Sequence, residues 1–160
     1  MTDLVMNQQD IVGKAGLAAP AATSGAGETI LFSVKIKAGR AVIGDALRAF
    51  LHGLSSSTGT LALKIRIGPA GTLSDPIALT LITSAAQVAN QHAGIDVLVN
   101  IRANGVIVEG KGWAQAALLP MATAGAVVVT PNISADWYIT ITCACSVGTF
   151  TAQVGEVRGL

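Results

Sequence analysis

Charge is scarce in this chain. Only 12% of its 160 residues are Asp, Glu, Lys or Arg, about half the share usual in soluble globular domains. Aromatic residues are as thin, at 4%, and there are two histidines and two cysteines. Each shortage excludes something. The cations stand singly or in strand-spaced pairs (Lys35 and Lys37, Lys64 and Arg66), which read as a solvated sheet face. No cluster exists that could neutralise several phosphates together, so nucleic-acid binding is not expected. Cys143 and Cys145 lie two apart, and on a strand their Cα atoms would sit about 7 Å from each other. That is beyond comfortable disulfide geometry, so two buried reduced thiols are expected. His52 and His92 lack the paired spacing of zinc ligands, and neither a metal nor any other cofactor is expected.

Long apolar runs are missing too. The nearest candidate, Trp113 to Val129, is interrupted by Gln115, Pro120, Thr123 and Gly125, short of the roughly 18 residues a spanning helix needs. No membrane role is expected. The start, Met1-Thr2-Asp3, has no basic lead, and Asn7 to Asp10 break the first apolar patch, which predicts no signal peptide. Catalytic signatures are equally sparse. The two histidines lie outside any nucleophile motif, and no phosphate-cradling glycine loop opens a helix. The nine carboxylates are dispersed; only Asp96 and Glu109 could be brought together, across a hairpin. Gly110-Lys111-Gly112-Trp113 reads as a bulge or tight bend. Trp113, Trp137 and Tyr138 could line a carbohydrate platform, although aromatics at strand spacing are more often core. Enzymatic activity is not expected.

What the chain does have is Ala, Val, Ile and Leu, arranged with a period of two. Hydrophobic residues reach 51% and the mean hydropathy is +0.61. Ile30, Phe32, Val34 and Ile36 alternate with Lys35 and Lys37; Leu61, Leu63, Ile65 and Ile67 alternate with Lys64 and Arg66. Ile95, Val97, Val99 and Ile101 repeat the pattern, as do Trp137, Ile139, Ile141, Cys143 and Cys145. Such alternation marks strands with one buried face. Asp45 to Gly53 has helical propensity but strand phase, and is read as a strand. Asn104-Gly105 between two alternating runs predicts a hairpin. Gln87 to Gly94 is read as a crossing between sheets. These signals predict an all-β, two-sheet antiparallel sandwich of jelly-roll type, with about eight or nine strands over residues 28–160. Residues 1–27 end in a Gly/Ala/Ser/Pro/Thr stretch and are read as an extended, flexible N-terminal arm with apolar anchors Leu4, Val5, Ile11 and Val12.

The order of elements carries a resemblance. Thr29 to Ile36 reads T-x-L-x-S-V-x-I, followed by Gly44-Asp45-Ala46-Leu47-Arg48 and the Gly59 to Gly68 run GTLALKIRIG. Val106 to Trp113 (VIVEGKGW) and Phe150 to Val157 complete the pattern. In these motifs the chain resembles small jelly-roll structural proteins of tailed bacteriophages, of the capsid-decoration and head- or tail-fibre types. The resemblance covers most of the chain after residue 28. It implies a virion component assembled in the host cytoplasm, commonly a homotrimer, whose partners are the major capsid protein or other virion proteins. The expected function is capsid decoration or cementing through protein–protein contacts; the alternative is a fibre or tail-tip domain binding a host glycan or protein. Leu4, Val5, Ile11 and Val12 are then the candidate capsid-binding arm. Strands too poor in charge to face water alone suggest Ile77, Leu79, Leu81 and Trp113 as the candidate subunit interface.

Overall fold

A computed structural model describes residues 11–14, 21–23, 27–56, 59–82, 91–114, 119–120 and 122–160. Within them every regular element is a strand: β1 Ile11–Lys14, β2 Ala21–Thr23, β3 Thr29–Ile36, β4 Ala46–Ser55, β5 Leu61–Gly68 and β6 Ile77–Ile82, then β7 Gln91–Arg102, β8 Gly105–Ala114, β9 Leu119–Pro120, β10 Ala122–Ala126, β11 Trp137–Cys145 and β12 Thr149–Gly159. In β4 the helix-forming Ala, Leu and Arg residues are overridden by phase. Leu47, Ala49 and Leu51 are buried while Arg48 is exposed, which an extended backbone achieves and a helix would not.

The strands form two antiparallel sheets, so the chain is a β-sandwich. One runs β1-β12-β4-β7-β8-β9, with β2 also on β12; the other runs β10-β6-β5-β11-β3. If β2 to β7 are taken as the first six strands and β11 and β12 as the last two, the order is plain. The first sheet then runs first, eighth, third, sixth, and the second runs second, seventh, fourth, fifth. That is the jelly-roll order, with β8 to β10 inserted after the sixth strand. The sandwich therefore takes its first strand from residues 21–23, inside the segment that the sequence assigns to the arm. The chain changes sheet between β6 and β7, as the Gln87 to Gly94 reading expects, though β7 already begins at Gln91.

The core lies between the sheets. It holds Val34, Ile36, Leu63, Ile65, Ile139 and Ile141 from one side, and Leu51, Ile95, Val97, Val99 and Phe150 from the other. The β7–β8 hairpin turns at Ala103-Asn104 into Gly105, and its register is unbroken from Arg102↔Gly105 to Ala93↔Ala114. The bulge expected at Gly110 or Gly112 is therefore absent. Gly110 is demanded by close approach instead: a Cβ there would lie 2.4 Å from the Asp96 carbonyl oxygen and 2.5 Å from the Val97 Cα. Bulges occur elsewhere, between Ala152 and Val154 in β12 and between Ile141 and Thr142 opposite β3.

Candidate interaction face

The outward surfaces of the two sheets differ in kind. On the five-stranded sheet, Glu28 reaches across β5 and β11 just before β3 begins. Its carboxylate accepts hydrogen bonds from Lys64 Nζ at 2.7 Å, Arg66 Nε at 2.7 Å, Arg66 Nη2 at 2.9 Å and Thr142 Oγ1 at 2.5 Å. Burial alone would raise the pKa of Glu28. The hydrogen bonds from Arg66, Lys64 and Thr142 outweigh it and bring the value from 4.5 down to about 2. The remaining Arg66 nitrogen, Nη1, donates to the Asp75 carbonyl at 2.6 Å. Asp75 in turn folds the loop after β5, its carboxylate accepting from the backbone N–H groups of Ala70, Gly71 and Thr72. Thr140 and Thr142 point outward from β11, yet both are wholly buried beneath this cover. Lys64 and Arg66 are thus not the solvated pair that their spacing suggests. At the far edge Lys35 and Lys37 do reach solvent, and both pair with Asp136 at 2.9 and 3.2 Å. This surface is already closed by the chain itself.

Among the described residues, no segment crosses the outer face of the seven-stranded sheet. Even-numbered residues of β4 and β7 point outward, and so do Ile107, Glu109, Lys111 and Trp113 of β8 and Val154, Glu156 and Arg158 of β12. At its centre the half-buried Phe50 and Trp113 rings meet at 5.9 Å between centroids, tilted by 34°. Gly94 makes that meeting possible: a Cβ there would fall 2.7 Å from Trp113 Cζ2, so the indole lies directly over bare backbone. Exposed Leu98 and Val154 extend the apolar surface on two sides. Charges ring it in opposed pairs. Arg48 bonds Asp96 through both Nε and Nη2, Arg158 bonds Glu156 in the same two-pronged manner, and Asn100 donates to Glu109 at 3.3 Å. A hollow of about 220 Å³ opens between Arg48, Phe50, Val154, Glu156 and Arg158. An aromatic centre with arginines and a polar rim is the composition of a protein–protein contact.

The residues singled out from sequence land in different places. Of the candidate interface, Trp113 lies on this open face, and Ile77 is half-buried on β6. Leu79 and Leu81 do not join them. They point into the sandwich and are 2% and 0% exposed, because β6 is flanked by β5 and β10 and its apolar phase faces the core. They offer no surface to a neighbour. Of the arm anchors, Ile11 and Val12 fall in β1, whose backbone pairs with β12 at the edge of the seven-stranded sheet; Leu4 and Val5 lie outside the described residues. Asp96 and Glu109 do not act as a carboxylate pair, since Asp96 faces Lys111 and Glu109 faces Leu98 across the hairpin. Trp113, Trp137 and Tyr138 form no common platform either: Trp137 is in the core, and Tyr138 is on the other sheet under Lys35. Neither cysteine is in a disulfide; both are buried, with their sulfurs 3.7 Å apart. Among the described residues no three His, Cys, Asp or Glu side chains gather as metal ligands.

Sequence reasoning passed over Phe50 and the pairing of His52 with His92. Both depend on register between β4 and β7, strands some forty positions apart. The outward phase of Ala46–Ser55, reading Arg48, Phe50, His52 and Leu54, was the available signal. No protein-family model matches this chain, and no curated protein matches its sequence.

Proposed function

We propose that the chain is a structural component of a bacteriophage particle, a capsid decoration or cement protein that works by packing against protein neighbours. Its open sheet face takes a second copy of the chain, within a homotrimer that sits on the major capsid protein. The observation that carries the reading is the asymmetry of the two outer faces. One is sealed by its own ion pairs and loop, while the other holds an aromatic pair that no other described segment covers. Charge favours a second copy as the occupant, because Arg48, Arg102, Lys111 and Arg158 share the face with Asp96, Glu109 and Glu156, so that the face carries both signs and can complement itself. The placement in a phage particle comes from the resemblance in the strand motifs, not from the face.

Sedimentation of the full chain tests the face, and addition to expanded capsids lacking it tests the role. The expected results are self-association, weakened roughly thirtyfold by Trp113→Ala if the indole is a hot spot, and a higher disruption temperature for decorated capsids. A chain that stays monomeric at high concentration, or capsids that gain nothing, would defeat the reading. A second reading has one specific observation behind it: the Trp113–Phe50 pair beside a hollow lined by two arginines and a glutamate also suits a sugar ring. Glycan-array binding abolished by Trp113→Ala would favour a receptor-binding fibre or tail-tip domain.

A further inference from the structure

On the open face, His52 of β4 and His92 of β7 stack with ring centroids 4.8 Å apart and planes 16° from parallel. They sit diagonally, since His52 lies opposite Gly94 and His92 opposite Leu54. Their surroundings are apolar: Phe50 and Leu54 along β4, Val154 opposite His52 on β12, and the Trp113 indole over Gly94. Apart from Arg102 at the hairpin end of β7, the charged groups of the face are set against one another. Arg48 holds Asp96, Arg158 holds Glu156, Glu109 accepts from Asn100, and Lys111 stands opposite Asp96. Among the described residues neither imidazole has a hydrogen bond or an ion pair. Near-parallel rings aim their in-plane lone pairs side by side and not at a common point, so the stack is not a preformed metal chelate.

Imidazole is the side chain whose ordinary protonation falls between pH 5 and 8. Burial, and then the nearby His92, hold the pKa of His52 below the usual imidazole value. In its neutral form the His52 ring continues the apolar surface around Phe50 and Trp113. Protonating one puts a cation without a partner on that surface, and protonating both sets two like charges 4.8 Å apart.

We propose that the His52–His92 stack makes this face a pH-gated contact, closed on its neighbour at neutral pH and released by mild acid. The inference rests on the reading of the face as the contact between copies. The sign follows from the chemistry: the docked state favours the neutral rings, so it binds fewer protons, and association falls as the pH drops. Sedimentation of the full chain at about pH 7.5 and about pH 5.5 tests it, with His92→Gln and His52→Gln/His92→Gln alongside. The wild type should associate roughly tenfold or more weakly at the lower pH, since an uncompensated charge in a docked surface costs more than the 1.4 kcal/mol of a factor of ten. The double variant should lose that pH dependence, with urea unfolding showing that it remains folded. Association in the wild type that ignores pH, or a double variant that responds as the wild type does, overturns the gate and leaves the contact standing. No association at any pH overturns the contact and the gate together.

Discussion

Replacing Glu28 by Gln keeps the shape of the side chain and removes its charge. In the wild type that charge is shared among Lys64, Arg66 and Thr142, with the Glu28 and Arg66 side chains 15% and 12% exposed. The depression of its pKa from 4.5 to about 2 corresponds to roughly 3 kcal/mol of preference for the ionised form in the folded chain. Lys64 keeps 23% of its surface in water, so solvent screens part of this, leaving about 2 kcal/mol. The variant also leaves two half-buried cations facing each other without their anion, which works in the same direction. Urea unfolding at neutral pH should therefore show Glu28→Gln less stable by about 2–3 kcal/mol, or roughly 5–10 °C in Tm for a domain of this size. The pH series carries the sharper test. Because the folded pKa is depressed, the contribution is fully present above the unfolded value near 4.5 and is lost as pH falls toward 2. The gap between wild type and variant should be constant from pH 7 to 5 and close below that. A gap under about 0.5 kcal/mol at neutral pH, typical of an exposed pair, would refute the reasoning, as would a gap that persists unchanged into acid.

Two further outcomes test the placement of residues. Leu81→Ala should cost about 2–5 kcal/mol in urea unfolding, because it opens a cavity between the sheets; Val154→Ala, on the open face, should cost under about 0.5 kcal/mol. If Leu81→Ala instead weakened association at unchanged stability, its assignment to the core would be wrong. The contact with Cys145 and burial push the Cys143 thiol up, so an aromatic disulfide reagent should label it only at the rate of global unfolding. Labelling of Cys143 faster than that rate would mean that this part of the sandwich opens locally.

The strand content of this protein was written in its period-two alternation, and so were the sandwich class, the β7–β8 hairpin and the inward-facing thiols. These follow from local stereochemistry: side chains on a strand alternate faces, so a row of Ile, Leu and Val on one phase specifies both the strand and its buried side. Sequence alone also excluded a dense basic surface, because a chain with so few cations has none to gather. What it could not decide was which strand lies beside which. The burial of Leu79 and Leu81, the capture of Lys64 and Arg66 by Glu28, and the use of residues 21–23 as the first jelly-roll strand all depend on pairings distant in sequence. The same holds for Trp113 over Gly94 against Phe50, and for the His52–His92 stack. An outward-pointing residue has no assigned neighbour until the register between strands is set, and that register comes from packing the whole core. Only the tertiary structure showed that the five-stranded sheet closes its outer face with Glu28, Lys64 and Arg66, while the described residues leave that of the seven-stranded sheet open.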